Sequence, residues 1–286
     1  MIKEHERVLV AVSGGKDSVS MLNILSKLHK EVGFELVALH IDLGIDDYSE
    51  LSRKIVEELS ITLEIPTIIV SVRELLKAGI PELARKLRRP TCSVCGVVKR
   101  YITNAVAVEI KANAIALGHN LDDLTAYVLK EFFNQNLGYI SKLGPKTSNL
   151  NNLAIGRIRP LYEISEKESL VYALVLGLPF VKAECPYVRD DSMERLLKTQ
   201  INELDYRFPG TKVGLMRKLA KNIETSYPPV RYNITSCREC NLISSDELCT
   251  YCKLTKRIFG RPYGSETREF IRKKINDLGI NRSKGN

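Results

Sequence analysis

Seven cysteines and one glycine-rich loop carry most of the chemistry open to this chain. The loop, Ser13-Gly14-Gly15-Lys16-Asp17-Ser18, follows the apolar run Val8–Val12. It precedes Val19-Ser20-Met21-Leu22-Asn23-Ile24-Leu25, where apolar positions 21, 22, 24, 25 and 28 fit one helix face. A strand, a glycine turn and a helix start form an anion site, because free backbone N–H groups and the positive end of the helix dipole converge there. The glycines let the backbone approach phosphates closely, and the serine hydroxyls add donors. The Walker pattern needs four residues between its first glycine and a G-K-[ST] ending, which this loop lacks.

The cysteines fall as Cys92-x-x-Cys95, Cys185 alone, and then Cys237-x-x-Cys240 with Cys249-x-x-Cys252. An odd number, with no signal-peptide pattern opening the chain, argues for metal ligation rather than disulfides. The last four form two knuckles separated by eight residues. Each knuckle can place two thiolates on one ion, and four thiolates leave no open position, so that site is expected to be structural. Zinc is favoured there, with iron in a rubredoxin-like arrangement as the other choice. Cys92, Cys95 and Cys185 supply three corners of a cubane cluster and leave the fourth open to a non-protein ligand. Two other readings of that set are a redox dithiol that forms a persulfide or disulfide, and a zinc site completed from elsewhere.

These groups need a scaffold. Strands are expected at 7–12, 36–41, 67–71, 114–118 and near 179–183, with helices between them at about 18–31, 48–60, 95–111 and 121–134. Strands alternating with helices indicate an α/β fold with a doubly wound parallel sheet covered on both faces. Ligands bind at the carboxyl ends of such strands. The loop at 13, His40-Ile41-Asp42 and Gly118-His119-Asn120 all begin there. Residues 135–160 are rich in Asn and Gly and are expected as a mobile crossover. The expected division is a nucleotide-binding catalytic domain over 1–190 and a basic helical extension over 191–235. A four-cysteine module over 236–260 and a polar basic tail over 261–286 follow.

Hydrophobic content of 44% and charged content of 27% are ordinary for a globular protein. No apolar run approaches the roughly 20 residues that span a bilayer, so a soluble, cytoplasmic protein is expected. The net charge of +9 points to a polyanionic partner.

The chain resembles the TtcA/TtuA family of tRNA 2-thiolation enzymes, within the PP-loop ATP pyrophosphatases. The resemblance rests on Ser13–Ser18, Cys92-Ser93-Val94-Cys95-Gly96 with Lys99-Arg100-Tyr101, and Gly118-His119-Asn120-Leu121-Asp122-Asp123. Arg159-Pro160-Leu161, Glu184-Cys185-Pro186-Tyr187 and the terminal cysteines extend it. The terminal cysteines resemble those of the TtuA and archaeal–eukaryotic wobble-uridine branch. That branch carries another zinc module before its first strand, and this chain begins almost at the strand. Leu124 stands where relatives often have an acid.

The resemblance implies ATP and Mg2+, a 4Fe–4S cluster on Cys92, Cys95 and Cys185, and Zn2+ on Cys237, Cys240, Cys249 and Cys252. Ser13, Gly14, Gly15, Lys16, Asp17, Ser18 and Gly118 would cradle the phosphates, with His40 near the adenosine. Lys99 and Asp123 match the family's proposed catalytic pair. Lys99 sits one turn beyond Cys95, facing the cluster, and Asp123 would hold magnesium or orient the base. Asp122 is expected to act as a helix N-terminal acid. The implied reaction adenylates a uridine 2-carbonyl in tRNA and then replaces AMP with sulfur. The donor would be a ubiquitin-like thiocarboxylate protein, a persulfide carrier or free sulfide, and the enzyme a homodimer. Other readings are 2-thiocytidine formation, a PP-loop ligase using another nucleophile, and, from another class, a nucleic-acid-binding iron–sulfur sensor.

Overall fold

The computed structural model describes residues 2–150, 153–188, 191–227 and 234–280. Its main sheet is built from β1 (Arg7–Ala11), β2 (Glu35–Asp42), β3 (Thr67–Ser71), β4 (Ala114–Ala116) and β5 (Arg157–Ile158). All pairings are parallel, in the order β3-β2-β1-β4-β5. The helices that follow the strands are α1 (Lys16–Val32), α2 (Asp46–Leu63), α3 (Val72–Leu76), α4 (Ile80–Leu87), α5 (Thr91–Glu109), α6 (Leu121–Phe133), α7 (Leu137–Ile140) and α8 (Glu166–Val175). Then come α9 (Met193–Arg207), α10 (Thr211–Ser226), a hairpin of β6 (Thr235–Ser236) and β7 (Ile243–Ser244), α11 (Thr250–Phe259) and α12 (Gly264–Asp277).

The alternation of side chains along each strand divides the core into two layers. Val8, Val10, Leu36 and Ala38 point to one face, where α1 and α2 contribute Met21, Leu22, Val56 and Leu59. Leu9, Val37, Leu39, Ile68 and Val70 point to the other, against α4, α5, α11 and α12. A third apolar cluster joins α6 to α10 through Leu124, Val128, Met216 and Leu219. Among the described residues no helix is long and apolar enough to cross a membrane.

Three expectations need correction. The segment 179–183 is not a strand. Pro179 has no N–H to offer a ladder, and the Val181 N–H donates instead to the Gly14 carbonyl at 2.9 Å. The fifth strand is β5, only two residues long and inside the segment expected as a crossover. That segment also holds α7, and the buried Arg159 guanidinium donates to the carbonyls of Gly144 and of Lys142; Asn151 and Asn152 lie outside the described residues. Finally, the polar segment after 261 forms α12. Its Ile271 and Ile275, four apart, are fully buried against the core. Residues 281–286 lie outside the described set, as do 228–233 within the helical extension.

The four-cysteine segment is part of this core. Tyr101 of α5 stacks on Tyr251 of α11, with ring centroids 3.8 Å apart and planes within 8°. Its hydroxyl donates to the Gly264 carbonyl at 3.0 Å. A Cβ on Gly264 would stand 2.5 Å from Cys252 Sγ and 2.6 Å from Cys240 Cβ. Replacing a helical glycine by alanine ordinarily adds up to about 1 kcal/mol. Here overpacking reverses the sign, and Gly264→Ala is expected to cost about 1–3 kcal/mol in denaturant unfolding.

Candidate active site and metal centre

The phosphate loop joins β1 to α1 at the point where the strand order reverses. Gly14 has φ +87°, and a Cβ there would press on the Ser52 carbonyl of α2 at 3.1 Å. The hydroxyls of Ser13 and Ser18 lie 3.1 Å apart across the loop, and Ser18 donates to the Gly15 carbonyl at 2.9 Å. Gly15 caps α1 without a side chain, so the first amides of α1 have no side-chain cap. Gly118, after β4, brings its backbone against the loop, where a Cβ would be 3.2 Å from Ser18 Cα. Gly15, Lys16, Asp17, Val181, Lys182 and Glu184 line a cavity of about 490 Å³ beside these amides.

His40 is buried on β2 and lies 2.9 Å by Nδ1 from the Val12 carbonyl. A carbonyl only accepts, so Nδ1 carries the proton and Nε2 is a bare acceptor without a partner. Burial outweighs that bond and lowers the pKa, keeping the ring neutral. His119 is likewise pushed down to about 4, by burial and by Arg159.

A chain of ion pairs leaves the loop. Lys16 Nζ is 3.1 Å from Asp17 and 2.6 Å from Glu166 at the start of α8. The other Glu166 oxygen is 2.5 Å from Lys198 of α9, whose ammonium is 2.8 Å from Asp123. Burial pushes the Glu166 carboxyl up, but hydrogen bonds from Lys16 and Lys198 outweigh it and hold the pKa at about 2. Asp123 also closes a capping box with Asn120, accepting from the Asn120 amide while its own amide donates to Asn120 Oδ1. Asp122, expected as an N-terminal acid of its own helix, stands in the first turn of α6 and is also buried. It accepts from the Glu166 amide at 2.6 Å, stabilising the start of α8, and pairs with the buried Lys212 of α10 at 2.6 Å.

The three-cysteine set gathers where α5 starts. Cys92 is exposed and its thiol donates to the Tyr187 carbonyl at 3.1 Å; Cys95 and Cys185 are half-buried. Tyr48 of α2 lies beside the last two: burial raises its phenol pKa, and then Cys185 and Cys95 do so. Burial also pushes the Cys95 thiol up, against the pull of the Lys99 ammonium one turn along α5. Lys99 itself is exposed and makes no ion pair among the described residues. The sulfurs of Cys237, Cys240, Cys249 and Cys252 are buried and all within 4.8 Å of one another. Backbone amides of Cys249 and Cys252 donate to the sulfurs of Cys237 and Cys249 at 3.3 and 3.5 Å. This donor set fits a single thiolate-bound ion. Among the described residues no other group of three or more ligands is that tight. A cubane holds its thiolates on different irons, so ligands of that kind need not approach one another as closely as those of a single ion.

These motifs have known counterparts. The PP-loop domain family matches residues 2–196. The chain belongs to the PP-loop family, among the tRNA 2-sulfurtransferases. It is 39% identical over 254 residues to the tRNA-5-methyluridine(54) 2-sulfurtransferase of Pyrococcus horikoshii, covering 88% of this chain and 79% of that protein. Identity to the enzyme of the same name from Thermus thermophilus is 34% over 265 residues, covering 91% and 80%. Among solved structures, the U34-tRNA thiolase NcsA from Methanococcus maripaludis with its [4Fe-4S] cluster superposes with a TM-score of 0.73 at 27% identity. It covers 89% of this chain and 80% of that one.

Sequence reasoning missed Glu166, Lys198 and Lys212. Ser165-x-x-Glu168 signals the start of α8, yet nothing local marks Glu166, and the two lysines read as ordinary basic helix residues. The Glu166 pairing sets a pH dependence. A carboxyl held at about 2 instead of 4.5 contributes stability that is full above about 4.5 and lost as pH falls toward 2. The stability difference between the wild type and Glu166→Gln is therefore expected to be constant above that window and to shrink within it. Urea unfolding across a pH series checks this; a constant difference down to pH 2 contradicts the pairing.

Proposed function

We propose that the protein is an ATP-dependent tRNA sulfurtransferase that converts a uridine to 2-thiouridine. One observation carries the reading. The segment that hydrogen-bonds the phosphate loop, through the Val181 N–H and the Gly14 carbonyl, lines the cavity through Glu184 and continues directly into Cys185. Nucleotide and sulfur chemistry therefore share one wall.

In this reading the loop amides and the hydroxyls of Ser13 and Ser18 hold the phosphates, and His40 Nε2 accepts from the adenine amino group. The uridine O2 attacks the α-phosphorus and pyrophosphate leaves. Sulfur then bonds to C2, and AMP departs with the original oxygen. Asp123, 2.8 Å from the Lys198 ammonium, orients the base, and Lys99 places positive charge where the oxyanion and the incoming sulfur meet. Cys92, Cys95 and Cys185 would hold a 4Fe–4S cluster, which supplies an iron with room for sulfur. Cys237, Cys240, Cys249 and Cys252 would hold Zn2+ as a structural ion.

The network from Asp17 to Asp123 contains three carboxylates and two ammoniums. A polyphosphate entering that surplus of negative charge calls for a divalent cation, which supports Mg2+. A cytoplasmic homodimer drawing on a thiocarboxylate, persulfide or sulfide donor completes the proposal.

Mass spectrometry of nucleosides from tRNA incubated with ATP and sulfide tests it: 2-thiouridine is expected with the wild type and none with Asp17→Ala, whose iron absorbance stays normal. Metal analysis of anaerobically purified variants separates the two cysteine sets. Cys185→Ser is expected to lose iron and keep zinc, and Cys237→Ser to lose zinc. Depletion of the same metal by both changes would refute the division.

A further inference from the structure

Beyond the cavity, one surface concentrates positive charge that ion pairs cancel only at Lys253. The C-terminal end of α4 and the flank after it carry Arg85, Lys86, Arg88 and Arg89, all exposed. Helix α11 packs against α4 and adds Lys253, Lys256 and Arg257, also exposed. Lys253 pairs with Asp246. The other six make no ion pair among the described residues. The chain carries a net charge of +9, and these six cations add to it on one face. Between the two helices runs a groove of about 110 Å³ with Leu87 and Leu254 in its floor and Arg89 and Arg257 on its rim.

The position of this face matters as much as its charge. Arg89 is followed by Pro90, the residue before α5, and then by Thr91 and Cys92 in the first turn of that helix. A polyanion lying on the groove therefore ends beside the exposed cysteine of the three-cysteine set. Like charges gathered on one face raise each other's energy unless anions come between them. Regularly spaced phosphates do that, and each one neutralised releases a condensed counterion.

We propose that the groove between α4 and α11 is the seat of an RNA phosphate backbone, and that it delivers the target nucleotide to Cys92, Cys95 and Cys185. This rests on the reading of the protein as a tRNA-modifying enzyme and assigns that enzyme its docking surface. The four-cysteine site then has a second consequence. Lys256 and Arg257 lie on the helix that opens with Cys249 and Cys252, so the closed ion would hold half of the RNA seat in place.

The test uses the full-length protein, purified with its metals, and an unmodified tRNA transcript in fluorescence anisotropy between 50 and 200 mM salt. Arg89→Gln/Lys256→Gln/Arg257→Gln is expected to weaken binding at least tenfold. The slope of log affinity against log salt should become shallower by about two to three, near one for each phosphate that is no longer neutralised. Unchanged zinc content and melting temperature in the variant show that it folds. If the wild type binds with a steep salt slope and the variant matches it, the proposal is overturned, and the face is left to an acidic protein partner. If the wild type binds no tRNA at any salt, the failure lies in the tRNA reading itself.

Discussion

Asp122 and Lys212 are both almost wholly shielded from water, with side-chain exposures of 3% and 8%. A charge so placed must be matched, and removing one partner of such a pair typically costs about 3–5 kcal/mol. Here the match is thorough. Asp122 accepts from the Lys212 ammonium and from the Glu166 amide, while Lys212 also donates to Asn202 at 2.6 Å. Three helices, α6, α8 and α10, are thereby held at one point. Asp123, the next residue of α6, and Glu166, the first of α8, inherit their positions from it. The ion-pair chain that runs from the phosphate loop to Asp123 exists because this buried pair leaves those two carboxylates facing Lys198.

Helix α5 imposes a second constraint. Its first turn carries Cys92 and Cys95, its middle carries Tyr101 against α11, and its end carries Glu109, which pairs with Arg268 and Arg272 of α12. A 19-residue helix is a stiff rod about 28 Å long. The open cysteine set and the closed one are therefore held at a fixed separation by one element. The four-cysteine segment packs its thiols into the same layer as Ile102, Ala105 and Leu83. An ion bound there would brace the core of the sheet domain as well as a surface finger.

Some of the buried polar atoms without protein partners fall at the candidate site, and others, such as Ser60 Oγ of α2 and Glu266 Oε2 of α12, fall elsewhere. Asp17 Oδ1, His40 Nε2 and His119 Nδ1 all lack a hydrogen bond. Leaving a buried polar group unsatisfied costs about 1–3 kcal/mol. Three such groups beside one strand edge are what a site looks like when its donors and acceptors are aimed at a ligand rather than at each other.

Much of this was legible in the sequence, because the signals were local. The run Val8–Val12, the loop to Ser18 and the apolar face after it lie within one strand–turn–helix, and their order implied an anion site. Cysteine spacing separated the three from the four. Two readings failed where local signals were weak: β5 is too short to show alternation, and α12 has two buried isoleucines in an otherwise polar stretch. The site's electrostatics lay beyond the sequence altogether. Lys198 meets Asp123 across 75 residues, Lys212 meets Asp122 across 90, and Lys16 meets Glu166 across 150. Backbone pattern and glycine placement depend on near neighbours, so residue order alone determined the first four strands, the phosphate loop and the cysteine spacings. A lysine on a basic helix has the same local signature whether it faces water or a carboxylate. Only the packing of α9 and α10 onto α6 and α8 decided which lysines became part of the site.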